Sequence, residues 1–441
     1  MQRKIIEKAP EITNLSEIHW LMDEINDLGA IVKRANDDYL YWDKFKHLSF
    51  PKEIGMKDLW GILKLTRLAQ LKRIPLKSTT GDDFGFWLPD KAQRLLREFD
   101  LHLAGEIAIQ EPVINPSSKQ QYIISSLMEE AIASSQIEGA ATSRKVAKEL
   151  LRTGRKPANH AEKMIFNNYV TIQKITKMQG EKLTPDMILD LQESLTEGTL
   201  EDSSYSGAFR KTDDVYVIDD RKNEILHEPP PARDLPKRLA LMCEFANTDK
   251  YDGGFIHPII KAILLHFWLA YDHPFVDGNG RTARAIFYWY MLSNGYWMFE
   301  YLSISRHILI SRGQYERAYI YAEQDGFDAT YFVMYHLGII EKALIDLQHY
   351  LDRKQEEQKK VFFLLRGKVD INQRQQALIK HALGNPGFAY TIESHRNSHG
   401  VSYPTARQDL ISLADQGLLV IDKSKRSWRF LAPDDLPARL S

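Results

Sequence analysis

The stretch Ile259–Tyr271, entered through Pro258, is apolar nearly all round, and this limits the fold more than any other feature of the chain. A helix without a polar face cannot lie on a surface and has to run between other helices. Pro258 suits a first helical position, where the missing N–H costs nothing. Lys261 and His266 interrupt the stretch, which is too short to span a bilayer. The expectation is a central helix in a mainly α bundle.

Helical spacing dominates elsewhere too. Residues 1–110 read as an N-terminal helical region with amphipathic segments at Ile12–Ala35, Met56–Arg73 and Leu88–Ala104, the last after a Gly81-Asp-Asp-Phe-Gly turn signal. Tyr39, Tyr41, Trp42, Phe45 and Phe50 read as packing between helices rather than as a partner patch. Gln121–Leu151 reads as helix interrupted at Gly139, and another helix runs from Thr184 to about Glu197. Val215–Ile218 and Ile225–His227 flank the polar Asp219-Asp220, which predicts a β-hairpin.

The buried helix delivers His273 to its end, and His273-Pro-Phe-Val-Asp-Gly-Asn-Gly-Arg-Thr-Ala-Arg284 follows. A glycine-rich turn opening a new helix offers free N–H groups to an anion such as phosphate. Arg281 and Arg284, three apart, share a helix face and suit one polyphosphate. Asp277 offers hard oxygen for Mg²⁺, and His273 a base for a hydroxyl proton. These parts suit phosphoryl-type transfer.

The segment resembles the signature of the Fic family, matched at His273, Pro274, Phe275, Asp277, Gly278, Asn279, Gly280, Arg281 and Arg284. Gly207-Ala-Phe-Arg210, the hairpin and His257–His266 extend the likeness over roughly residues 115–350. The resemblance implies a Fic-type helical bundle, here 111–355, that transfers AMP from ATP to a Ser, Thr or Tyr hydroxyl of a protein. His273 would be the base, Asp277 the Mg²⁺ ligand, and Gly278, Asn279 and Gly280 the anion hole. Arg281 and Arg284 would hold the β- and γ-phosphates, with Phe275 also in the ATP site. The 213–229 hairpin would be a flap that pairs with the target. Glycine at 280, where the phosphate-transferring branch has lysine, favours AMP transfer; phosphocholine transfer is left open.

Ser134-Ser-Gln-Ile-Glu138-Gly139 resembles the family's inhibitory pattern. It implies that Glu138 pairs with Arg284 and keeps ATP from binding productively. In some relatives the same glutamate helps water remove AMP. Relatives often dimerise, which is consistent with a homodimer here.

Residues 370–433 read as three helices and a β-ribbon, the pattern of a C-terminal winged helix-turn-helix. From Gln373 to Pro433 there are eight Lys/Arg and four acids, an excess of four positive charges. Ser402, Tyr403, Thr405 and Arg407 lie early in the candidate recognition helix, and Lys423, Lys425 and Arg426 on the wing tip, as duplex-DNA contacts would. Protein docking is the other use of such a module. A DNA-binding regulator whose Fic core senses nucleotide is the alternative to an enzyme.

At 441 residues the chain has room for two or three domains. With 58 Lys+Arg against 59 Asp+Glu, no global field draws it to nucleic acid or membrane. Cys243 is the single cysteine, so intrachain disulfides and cysteine zinc sites are excluded. The start MQRKIIEKAPEI lacks an apolar signal core, which points to a cytoplasmic protein. His257, His266 and His273 do not share a helical face, so a zinc site is not expected; His266 reads as a core histidine bonded to backbone. Tyr315 and Tyr319 suit either an adenine wall or helix packing.

Overall fold

A computed structural model describes residues 2–3, 6–10, 25–49, 55–104, 116–153, 155–219, 224–248, 254–365, 371–385, 387–423 and 428–440. The chain forms two compact units, Met1–Leu347 and Gln348–Ser441.

In the first unit, strand β1 (Gln2–Arg3) is followed by helices α1 (Ile25–Asp37), α2 (Trp42–Phe45) and α3 (Met56–Gln70). The hairpin β2 (Lys72–Lys77) and β3 (Asp83–Phe86) leads to α4 (Asp90–Phe99). Then come α5 (Pro116–Ile137), α6 (Arg144–Thr153), α7 (His160–Ile175) and α8 (Pro185–Thr196). Strands β4 (Val217–Asp219) and β5 (Glu224–His227) precede α9 (Leu235–Asn247), α10 (Pro258–Asp272) and α11 (Asn279–Ser293). The run closes with α12 (Ile304–Ile310), α13 (Arg312–Gln324) and residues 330–347 of the long α14 (Thr330–Leu365).

Helix α10 is the expected buried rod: Ile259 through Leu269 are buried without a break. Each fully covered Leu, Ile or Phe there contributes about 1.5–3 kcal/mol relative to exposure. His257 caps its start, accepting the Ile259 N–H on Nδ1, and Pro258 takes the first helical position. Helix α11 packs along it, buried at nearly every position, with α5, α7, α8 and α9 around the pair.

Two expectations in this unit change. Residues 72–73, expected to finish a helix, open β2 instead, and the expected Gly81 turn joins β2 to β3, with Asp83–Gly85 already in the strand. Ile74 and Leu76 alternate inward and Ser78 bonds close the turn, so tertiary burial with period two overrides the helical reading. The α3 helix stops at Gln70 because Pro75 and the strand pairing follow. His266 bonds the Tyr315 hydroxyl at 2.9 Å rather than backbone, because α13 brings that hydroxyl within reach of its Nε2. The aromatic cluster packs as expected: Tyr39, Tyr41, Trp42 and Phe45 are buried with Trp60 and Tyr331. Phe50 and the Ile12–Glu24 part of the first amphipathic segment lie outside the described residues.

The β4–β5 hairpin is antiparallel, and β1 lies parallel to β5 as a third strand, with Gln2 opposite Glu224 and Arg3 opposite Ile225. Residues 6–10 bring that strand in from the aromatic cluster, where the Ala9 N–H meets the Tyr41 hydroxyl and Glu7 accepts from Trp42.

The second unit holds α15 (Gln373–Gly384), β6 (Ala389–Tyr390), α16 (Ile392–His399), α17 (Tyr403–Asp415), β7 (Val420–Asp422), β8 (Arg429–Leu431) and α18 (Leu436–Leu440). Its antiparallel sheet has the order β6-β8-β7. The helices start on side-chain caps, Asn372, Thr391 and Ser402, each accepting a backbone N–H three residues on. The three helices and the two terminal strands stand where the sequence spacing put them. Strand β6, with Ala389 and Tyr390, adds a third strand to the expected β-ribbon.

Candidate active site

Helix α10 ends on His273, whose φ of 44° is left-handed, with its N–H still bonded to the Leu269 carbonyl at 3.0 Å. A non-glycine residue held there is strained and persists only where surroundings enforce it. Pro274 and Phe275 follow, and Asn279 closes the loop: its Oδ1 accepts the Phe275 N–H at 2.9 Å and its Nδ2 donates to the Phe275 carbonyl at 2.8 Å. Asn279 therefore shapes the turn with its side chain. Gly278 has φ 88°, and a Cβ there would stand 3.0 Å from Thr196 Cγ2, so bare glycine lets α8 approach. Buried Gln192 of α8 donates to the Asp277 carbonyl at 3.0 Å and accepts the Gly207 N–H at 2.6 Å.

The two arginines have different partners. Arg281, fully buried, donates to Asp277 Oδ2 at 2.8 Å and to the Leu195 carbonyl at 3.1 Å. Arg284, 1% exposed, reaches α5: its Nε donates to Ser134 Oγ at 2.8 Å and its Nη2 to the Ser134 carbonyl at 2.9 Å. The same Nη2 donates to Glu138 Oε1 at 2.8 Å. Burial disfavours the Arg284 charge, but Glu138, Tyr315 and Glu130 together outweigh it and the pKa rises. Glu138 stands just past the end of α5, where Gly139 turns the chain with φ 95°.

A Cβ on Gly280 would lie 2.1 Å from Glu138 Oε1 and 3.1 Å from Arg284 Nη1. Glu138 thus rests against the first turn of α11, where the helix dipole and unpaired N–H groups favour negative charge. Three of the residues singled out from sequence, Glu138, Gly280 and Arg284, meet at one point. Asp277 keeps its carboxylate 43% exposed beside them.

The His273 imidazole retains some exposed surface, yet side chains surround it closely enough that burial dominates its titration. Its pKa falls to about 4, from burial first and then from the charge of His227, with Arg210 adding and Glu138 opposing. The ring is neutral at pH 7 and free to take a proton.

Several participants carry little or no local sequence signal. Arg210, 2% exposed, donates from Nε to the His273 carbonyl at 3.0 Å, and its N–H bonds the Pro274 carbonyl at 2.9 Å. His227, the last residue of β5, meets the Tyr271 carbonyl through Nε2 at 2.6 Å. Asp272, wholly buried, is held by Arg238 at 2.7 Å and Trp268 at 3.0 Å. Tyr315 and Tyr319 bond each other at 3.0 Å and sit against His266 and Phe267, within the packed helices.

In the second unit, Ser402 spends its hydroxyl capping α17 and pairing with Thr405 Oγ1. Tyr403 is 49% exposed. Arg407 and Lys423 both lie over the Trp428 ring, at 5.8 and 4.5 Å. Lys425 and Arg426 lie outside the described residues.

A mainly helical core with a glycine loop joining two buried helices, a histidine at the end of the first and a short hairpin beside it defines a Fic-fold protein. Residues 182–291 match the Fic/DOC family, and the chain carries a domain of that family. Over 81 residues it is 40% identical to a protein adenylyltransferase Fic of Nematostella vectensis, covering 18% of this chain and 17% of that protein. A protein adenylyltransferase Fic of Drosophila grimshawi is 34% identical over 90 residues, 20% of this chain and 17% of that protein. The likeness thus spans about a sixth of these relatives' length. Among solved structures, a Fic family protein from Desulfovibrio desulfuricans superposes with a TM-score of 0.52 at 20% identity, covering 78% of this chain and 95% of that one. Fic-1 from C. elegans gives 0.51 at 17% identity, covering 76% and 87%. No described helix is long and apolar enough to cross a membrane.

Proposed function

We propose that this chain is a protein adenylyltransferase, moving AMP from ATP to a Ser, Thr or Tyr hydroxyl of a protein, and that Glu138 restrains it. The observation that carries the reading is the meeting of Glu138, Gly280 and Arg284, because a carboxylate there occupies ground suited to a phosphate.

In the active state Arg284 exchanges Glu138 for the γ-phosphate, and the N–H groups of the α11 start receive the polyphosphate. Arg281 supports the β-phosphate. Asp277 has the exposure and hard oxygen to hold magnesium, and one carboxylate with phosphate oxygens and waters is a sufficient donor set. When bound, the ion would neutralise charge on the α- and β-phosphates. His273 takes the hydroxyl proton as that oxygen attacks the α-phosphorus. The new O–P ester forms, the α–β anhydride breaks, and pyrophosphate leaves. Hydrolytic removal of AMP, with Glu138 orienting water, is a second reaction this arrangement admits.

Protein targets dock on the β4–β5 flap by backbone pairing. The β5 edge already carries β1, so a target takes the other edge or displaces residues 2–3.

Label from α-³²P-ATP tests the reading. Glu138→Gly is expected to label itself or lysate proteins strongly, wild type weakly, and His273→Ala not at all. Equal labelling by all three overturns it.

The second unit supports a second reading, a winged helix-turn-helix that binds duplex DNA. Exposed Tyr403 with Arg407 and Lys423 beside Trp428 favour it. A salt-dependent gel shift is expected, and no binding at low salt removes it.

A further inference from the structure

Arg210 gathers one set of contacts from both ends of the flap and another from the backbone that carries the base. Toward the flap, its Nη1 donates to the Thr212 carbonyl at 2.8 Å and to Asp213 Oδ1 at 3.1 Å, just before β4. Its Nη2 donates to the Pro230 carbonyl, just after β5. Asp213 Oδ1 also accepts the Ala232 N–H at 2.6 Å, which closes the neck of the hairpin. Toward the site, Nε donates to the His273 carbonyl and the main-chain N–H to the Pro274 carbonyl.

His227 adds a second tie from the end of β5 to the Tyr271 carbonyl, and Glu323 Oε1 stands 2.8 Å from its Nδ1. Carbonyls 271, 273 and 274 are thus each bonded from the flap or its neck.

We infer that Arg210, assisted by His227, is a positioning residue for transfer, locking the flap to the segment that carries His273. The inference rests on the transferase reading above. A hydroxyl presented on the flap and the imidazole that takes its proton must hold one mutual geometry, and these bonds are what couple them. The carbonyl of His273 belongs to a left-handed residue, so the bond from Arg210 also fixes the direction in which that side chain leaves the chain. Only a guanidinium serves this place. Its planar fork meets three carbonyls and a carboxylate at once, whereas a lysine ammonium is a single point on a flexible stem. Losing the fork takes this donor from the carbonyls of Thr212, Pro230 and His273.

The test uses the full chain carrying Glu138→Gly, with Arg210→Lys and Arg210→Met added separately. Three quantities are read: ATP affinity by calorimetry, label transferred from α-³²P-ATP, and amide hydrogen exchange across 213–229. The expected result is ATP affinity within about threefold of the parent, because Arg210 touches no residue of the phosphate cradle. Transfer should fall about 100-fold, the size of effect a 1 Å misplacement brings. Flap exchange should quicken about tenfold. Lysine, smaller in its disturbance, keeps the test open should methionine fail to fold. Undiminished transfer overturns the inference. So does a parallel loss of transfer and ATP binding, which would mark a purely structural residue. If the Glu138→Gly parent itself transfers no label, the transferase reading falls and the inference with it.

Discussion

Glu138 Oε1 sits 2.1 Å from where a Cβ on Gly280 would be, so the carboxylate and the bare glycine fit only together. Helix α5 thereby presses a negative charge onto the start of α11, where Arg284 receives it at 2.8 Å. On the proposed function, ATP would displace that carboxylate to place its own phosphates.

The first prediction separates charge from volume. A charge-assisted hydrogen bond to a buried group contributes about 1.5–3 kcal/mol, or roughly 10- to 150-fold in an equilibrium. Glu138→Gly, which removes both, is expected to raise ATP affinity by about that factor. Glu138→Gln keeps the volume beside Gly280 and should recover only part of it. Calorimetric titration of ATP into the three proteins decides; equal affinities for wild type and Glu138→Gly would show that the pair costs ATP nothing.

The second prediction concerns what holds helix α5. Glu130, two turns before Glu138 on α5, is 1% exposed. It accepts from the Tyr288 hydroxyl at 2.8 Å, Ser303 Oγ at 3.0 Å, the Ser305 N–H at 3.0 Å and the Ser305 hydroxyl. Glu130→Ala orphans these donors and is expected to cost about 3 kcal/mol in urea denaturation. Because Glu138 directly follows α5, AMP labelling by this variant should rise above wild type. Lost stability with unchanged labelling would show that other contacts set the brake.

The third prediction follows from His273, whose pKa is pushed down to about 4. A folded value below the unfolded 6.5 means that folding releases a proton between those pH values. The contribution of the neutral ring to stability is therefore complete above about pH 6.5 and is lost as pH falls toward 4. The same proton blocks the base. In Glu138→Gly, kcat/KM for ATP should stay level from about pH 8 to 5 and drop near tenfold per unit below 4. Glu138 raises the His273 pKa, so its removal shifts the fall to lower pH. A limb near 6.5 would mean that the imidazole is solvated.

What could be read from sequence follows from how local each feature is. The His273–Arg284 turn is one contiguous segment whose backbone needs, two glycines and a helix start, are written in its own residues. Helix α10 was legible because its burial is all-round. Arg210 was visible only as part of a landmark, since its partners lie 2, 3, 20 and 63 residues away and no local pattern announces them. Glu130 is the same case, with partners 158 to 175 residues distant. The β2–β3 hairpin had a signal, Ile74 and Leu76 alternating with Arg73, Pro75 and Lys77 before the Thr79-Thr80-Gly81 turn, but the helical spacing of the preceding segment masked it. The pairing of residues 2–3 with β5 had none, because two residues make no period.

The fourth prediction falls on the second unit. Asp409 of α17, 3% exposed, accepts from Arg374 Nε at 2.7 Å and Nη2 at 3.1 Å, and from Asn372 at 2.7 Å. His395 of α16 faces the same carboxylate at 3.2 Å. One carboxylate thus ties together α15, α16 and α17. Burial works to raise its pKa, but Arg374, Asn372 and His395 outweigh burial and hold it below the usual range. Its stability contribution is therefore present above the unfolded carboxyl value and lost as pH falls through the lowered one. Asp409→Ala leaves a half-buried guanidinium and an amide without their acceptor, a loss of about 3 kcal/mol. In a unit of this size that moves a calorimetric transition down by more than about 10 °C. The transition of residues 1–347 and the AMP labelling should not move, because Asp409 and all of these partners lie within 348–441. An equal drop in both transitions would mean that the two units unfold as one, and an unmoved second transition that the helices hold together on their apolar cluster alone.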